Sequence, residues 1–283
     1  HSATSARDRA RAEAVVTEKL EDYLAIEDIL ELGALPDPFD AVRCESVAHV
    51  EEIDLKARDL RKSWKLGIDP ISSMTALLVD KGIKVIEADL PPQVDGLTCI
   101  VKRMGNRPDT EVIVISQHSG VERKRFNLAH ELAHRVITAS EIPGMKYEKA
   151  MHRFGAAFLA PAEHLREEVG AARSGVTYHE LIRLKRTYGM SAAAMLIRLR
   201  DVGILPEAAV EYAFRTYARP WRNAEPQPIE DDEGFGAFEK PQRFERLVWR
   251  ALGEQLISPV RAAQMLGMTL RQVESEIRGP ADP

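Results

Sequence analysis

The stretch FNLAHELAHRVI, residues 126–137, sets His130 and His134 four positions apart with Glu131 directly after the first. On a helix each residue advances by about 100°, so the two imidazoles leave one face a turn apart. Ala129, Leu132, Ala133, Val136 and Ile137 form an apolar arc beside them, which leaves the histidines half-buried at its edge. Glu131 points about a quarter-turn away, where a carboxylate meets a metal-bound water rather than the ion. This is the HExxH arrangement: two zinc ligands and a general base. An ordinary helix can carry the same spacing by chance, so a third ligand must separate the two readings.

A catalytic zinc takes three protein ligands and keeps one position open for water. Glu141, Glu148, His152 and His164 lie within reach downstream. Glu148 opens the segment EKAMHRFGAAFLAP, residues 148–161. Pro161 disfavours helix at Ala160, so a helix is expected to stop at Leu159. On it Glu148, His152, Gly155 and Leu159 share one face, while Phe154 and Phe158 bury on the next strip. Gly155 lets this helix approach another closely. The intervening loop, TASEIPGMKY, contains Pro143-Gly144 and is long enough to reverse direction. These features make Glu148 the expected third ligand.

Other elements must hold this pair of helices. Arg7 to Leu32 is charged and leucine-spaced and reads as one or two exposed helices, and GALPDPFD (33–40) breaks the chain. VEEIDLKARDLRKSW (50–64) predicts a helix, and Pro70 can open the next one, SSMTALLVDKG. Three segments rich in β-branched residues follow, KVIEADL (84–90), LTCIVKR (97–103) and EVIVIS (111–116). Helix then runs to about residue 216. Helices, a small three-stranded sheet and more helices argue for an α+β fold.

RFNLAHELAHRVI (125–137) followed by EKAMHRFGAAFLAP, with LRKSWKLGIDPI upstream, resembles the ImmA/IrrE family of metallopeptidases from about Val50 to Leu205. The resemblance implies a mainly helical, zincin-like domain in which His130, His134 and Glu148 bind zinc and Glu131 acts on the water. Met151 and His152 depart from the family's usual Ala and Asn. His152 lies one turn from Glu148, so it can bond that ligand, compete with it, or simply pack. Tyr147, Tyr178, His179 and Arg125 are candidates by type for holding an oxyanion. Cys99, expected in a central strand, could approach the metal as a thiolate, although a buried strand cysteine is the plainer reading.

Bulk properties set limits. The chain has 283 residues, a net charge of −5 and 29% charged residues, which excludes a nucleic-acid-coating protein. No apolar run reaches membrane-span length. Cys44 and Cys99 cannot form a disulfide framework and suit a reducing cytoplasm. The expected divisions are 1–49 as a helical spacer, 50–216 as the peptidase, 217–240 as a Pro- and acid-rich linker, and 241–283 as a small helical module.

TYHELIRLKRTYGMSAAAMLIRLRDVG (177–203) has the length of a helix-turn-helix, but SAAAMLI is too apolar to present to bases and is expected to pack on the peptidase core. The C-terminal module carries cap signals at Ser258-Pro259, Gly267 and Thr269/Gln272, and its expected core is Leu247, Trp249, Ala262, Leu266 and Val273. Protein docking is preferred to DNA reading for it. Family resemblance implies a zinc endopeptidase within a transcriptional or stress regulator, acting on a repressor or antitoxin-like protein partner. The chain opens on His1 rather than Met, so DNA contact is expected of an Xre-type domain ahead of it. The charged first helices could pair two copies. The alternative is a module that binds such a partner without cutting it.

Overall fold

The computed structural model describes residues 6–33, 35–91, 94–103, 108–229 and 239–278, and only the backbone of residues 6–12 and 222. Elements run α1 (Ala6–Ile29), β1 (Cys44–Val47), α2 (Val50–Ser63), α3 (Met74–Asp80), β2 (Lys84–Ala88), β3 (Gly96–Val101), β4 (Thr110–Ser116), α4 (Val121–Val136), β5 (Ile137–Ser140) and α5 (Tyr147–Leu159). Then come α6 (Ala162–Val169), α7 (Tyr178–Tyr188), α8 (Ala192–Asp201), α9 (Glu207–Arg215), α10 (Arg243–Gly253), α11 (Pro259–Leu266) and α12 (Leu270–Arg278). The fold is α+β and mainly helical, as expected.

The three expected strands form one sheet in the order β2-β4-β3, with β4 parallel to β2 and antiparallel to β3. Every residue of β4 is buried, because both faces of the sheet are covered. Ile113 and Ile115 join the main core, whereas Val112 and Val114 face a second cluster with Leu20 of α1. Cys99 sits half-buried on β3, an edge strand rather than a central one, and packs on that second face. Burial raises its thiol pKa.

A second, two-stranded parallel sheet pairs β1 with β5, Cys44 opposite Ile137 and Val47 opposite Ser140. Helical periodicity had placed Ile137 on α4. Instead its backbone is extended, at φ −117° and ψ 116°, where the β-branched run Val136-Ile137-Thr138 leaves the helix. Pro70 does not open α3 either. Ser73 caps it, accepting from Ala76 N at 3.0 Å, while Arg125 holds the carbonyls of Ile71 and Ser72 at 2.6 and 3.1 Å.

α1 is less exposed than its charge suggests. Tyr23, Ile26 and Leu30 share a core with Leu247, Val248, Ala251, Ala262 and Val273 of α10–α12, and Lys84 pairs with Glu27 at 2.6 Å. Trp249 and Leu266 are only partly buried at that core. The cap signals hold: Ser258 accepts from Arg261 N at 3.2 Å, and Thr269 and Gln272 cap each other. Ala192, Met195, Leu196 and Leu199 of α8 join the main core, the packing role expected of them.

The Pro- and acid-rich segment is tied down on both sides of 230–238, which lie outside the described residues. Ile229 N donates to Glu122 at 3.0 Å, and Glu225 accepts from Ala192 N at 2.8 Å and Lys185 at 3.1 Å. Glu239 reaches into the core to pair with Arg125 and accept from the N–H groups of Met74 and Thr75, each at 3.0 Å.

Candidate metal centre

α4 buries Leu128, Ala129, Leu132, Ala133 and Val136, which fixes its roll and leaves His130 and His134 at the core's edge. Arg135 in its last turn holds Glu111 of β4 through two contacts of 2.7 and 2.8 Å. α5 crosses at Gly155, where an added Cβ would lie 3.2 Å from the His130 backbone nitrogen. That approach brings Glu148, in the first turn of α5, to the histidines.

His130 Nε2, His134 Nε2 and Glu148 Oε2 converge at separations of 3.1, 3.2 and 3.7 Å. A tetrahedron around an ion with bonds of about 2.0–2.1 Å has edges of about 3.3–3.4 Å. The three atoms therefore already stand at ligand spacing. Ion pairing is a poor account of these contacts, because burial holds both imidazoles neutral: His130 is pushed down to about 3 by desolvation, then by His152 and His134, and His134 is lowered mainly by desolvation. Neutral imidazole is the form a metal requires. The Glu148 side chain is 63% exposed against 12% and 21% for the histidines, so the cluster opens to solvent on one side.

Glu131 is buried beside the cluster. Burial first, and Glu148 second, raise its carboxyl to about 7, within the working range of a general base at neutral pH. Gly96 at the start of β3 makes room for it, since a Cβ there would lie 3.4 Å from Glu131 Oε1. A glycine opening a strand was the only sequence signal for that contact.

The remaining candidates divide. The His152 ring lies against that of His130, centroids 4.5 Å apart, with the Phe126 ring on it at 5.8 Å. A tilted ring contact, at 35° between the planes, is what its geometry offers. The Tyr147 hydroxyl lies 3.3 Å from His134 Nδ1 and donates to Ile137 O at 2.7 Å. Arg125 is fully buried against Glu239, Ile71 and Ser72, since desolvation is affordable only with that many partners, and it is spoken for there. Tyr178 packs near Trp221, and His179 is exposed on α7. Cys99, on the far face of the sheet, is not among the converging groups.

A mostly helical α+β fold with two histidines, a glutamate and a buried carboxyl at one spot defines a metallopeptidase-like domain. Residues 79–200 match the family model for the IrrE N-terminal-like domain, Peptidase_M78. The radiation response metalloprotease IrrE of Deinococcus deserti is 29% identical over 165 residues, covering 52% of this chain and 53% of that protein. The chain thus spans about half the length of that curated relative. A solved structure of a Mycobacterium tuberculosis transcriptional regulator overlaps 52% of this chain and 46% of its own at 17% identity, with a TM-score of 0.35. Over residues 79–200 this chain is thus similar to the IrrE-type metallopeptidases.

Proposed function

We propose that residues 50–216 form a zinc-dependent endopeptidase that cuts a repressor or antitoxin-like protein within a transcriptional or stress-response circuit, with 1–49, 217–240 and 241–283 as its flanking parts. The observation that carries this reading is the convergence of His130 Nε2, His134 Nε2 and Glu148 Oε2 beside a buried Glu131. Two imidazoles and one carboxylate suit zinc, whereas magnesium and calcium prefer all-oxygen sets.

Zinc bound there supplies an acidified water and a polarised carbonyl. Glu131 accepts the proton as the water oxygen bonds to the peptide carbon, and returns it to the amine nitrogen as the C–N bond breaks. A cleft of about 900 Å³ opens beside His152, whose ring neighbours that of His130. Phe126, Met145, Ala156, Ile197 and Trp221 give it apolar walls, and His152 lines it. That volume takes side chains of a polypeptide on one side of the bond being cut.

A second reading, a partner-binding module that does not cleave, has to explain Glu131, because a purely structural ion needs no base. Glu131→Gln separates the two. Mixed with repressor or antitoxin-like proteins encoded beside its gene, the parent should cut one of them. The variant should bind it and keep its zinc but leave it whole. Equal regulatory output from both proteins would favour the binding reading.

A further inference from the structure

We infer that Tyr147 is a positioning residue: its hydroxyl fixes His134 in the tautomer that leaves Nε2 bare for a metal. The inference rests on the reading of His134 as a ligand. A tyrosine hydroxyl has one proton to give. Here that proton goes to Ile137 O at 2.7 Å, the carbonyl of the residue where α4 ends and β5 begins. The other neighbour of the hydroxyl, His134 Nδ1 at 3.3 Å, must then be the donor and carry hydrogen. A neutral imidazole with hydrogen on Nδ1 has its lone pair on Nε2, the atom that faces His130 and Glu148.

Position explains why this residue can do so. Tyr147 is the first residue of α5 and Glu148 the second. One turn of backbone therefore delivers a carboxylate to the cluster and, one residue earlier, a hydroxyl to the back of His134. The ring lies against the imidazole, centroids 5.4 Å apart, which also limits rotation of His134. His130 has no such support among the described residues, where its buried Nδ1 finds no partner. The two histidines are thus unequal: His134 is pre-set, and His130 is held on its Nε2 side alone.

The test uses the full chain and Tyr147→Phe, which removes only the oxygen. Zinc affinity, measured by competition with a chromogenic chelator, should weaken about ten-fold, the low end for loss of a ligand's outer hydrogen bond. In metal-free protein above pH 7, long-range ¹H–¹⁵N spectra should show His134 protonated on Nδ1 in the parent and shifted toward Nε2 in the variant. His130 serves as the internal comparison and should not change. Unaltered zinc affinity in a folded variant, or His134 protonated on Nε2 in the metal-free parent, would overturn the inference. A drop in thermal midpoint with affinity and tautomer unchanged would mean that Tyr147 only packs. The tautomer is read without zinc and without substrate, so it stands even if the parent binds no zinc and the proposed peptidase falls. Should Tyr147→Phe fold poorly, the parent's spectrum alone decides.

Discussion

Glu239 offers the sharpest test of how the chain beyond the peptidase helices is built in. Its side chain is 1% exposed and pairs with Arg125, which is 0% exposed, while also accepting from the N–H groups of Met74 and Thr75 and the hydroxyl of Thr75. Glu239→Ala leaves a buried guanidinium without its counter-charge and two helix-start N–H groups without an acceptor. Breaking such a pair costs about 3–5 kcal/mol. At about 2–4 °C per kcal/mol for a domain of this size, the thermal midpoint should fall by about 6–20 °C. Urea unfolding followed by tryptophan fluorescence reads the free-energy loss itself, because Trp64 and Trp221 both lie at the main core. Arg125→Met with Glu239→Ala should lose less than the two single changes summed, by about 1–3 kcal/mol. A loss under about 1 kcal/mol for Glu239→Ala would refute the insertion of residue 239 into this core, since no fully desolvated pair is that cheap to break.

Gly155→Val should push α5 off the His130 backbone, weaken zinc binding at least ten-fold in a chelator competition, and cost about 1–3 kcal/mol in denaturant melts. Gly189→Ala combines a left-handed φ of +62° with a Cβ driven into the Arg125 guanidinium, so a stability loss of about 2 kcal/mol or more is expected by calorimetry. Lys185→Met strips the buried partner from Glu122 and Glu225 and should speed limited proteolysis between Ala218 and Ile229, read by mass spectrometry of the fragments. Chelation should lower the thermal midpoint of zinc-loaded protein, with about 2.7 kcal/mol at stake when free zinc was at a hundred times its dissociation constant.

Much of the His130–His134–Glu148 cluster was legible because it depends on short-range geometry. Helical periodicity alone aligns His130 with His134, and Pro161 and Gly155 mark where α5 stops and where it touches α4. The β-branched runs announced β2, β3 and β4 for the same local reason, and capping residues announced α11 and α12. What escaped depends on partners far along the chain. β5 exists only because Cys44–Val47 lies beside Ile137–Ser140, and four residues carry too little pattern to reveal that. Arg125 was an oxyanion candidate by type, but its counter-ion is 114 positions away. The bond of Tyr147 to Ile137 O was invisible because backbone carbonyls leave no mark in a sequence.

The shared core of α1 and α10–α12 has a consequence for how the protein is made. Tyr23, Ile26 and Leu30 leave the ribosome early, yet the residues that cover them follow on the order of 200 positions later, roughly 10–40 s at ordinary synthesis rates. During that interval a greasy stripe stands uncovered on the nascent chain, a natural foothold for chaperones. The same dependence couples α1 to the last three helices in any shortened version: cutting those helices away would uncover Tyr23, Ile26 and Leu30, while Leu20 kept its cover from the sheet.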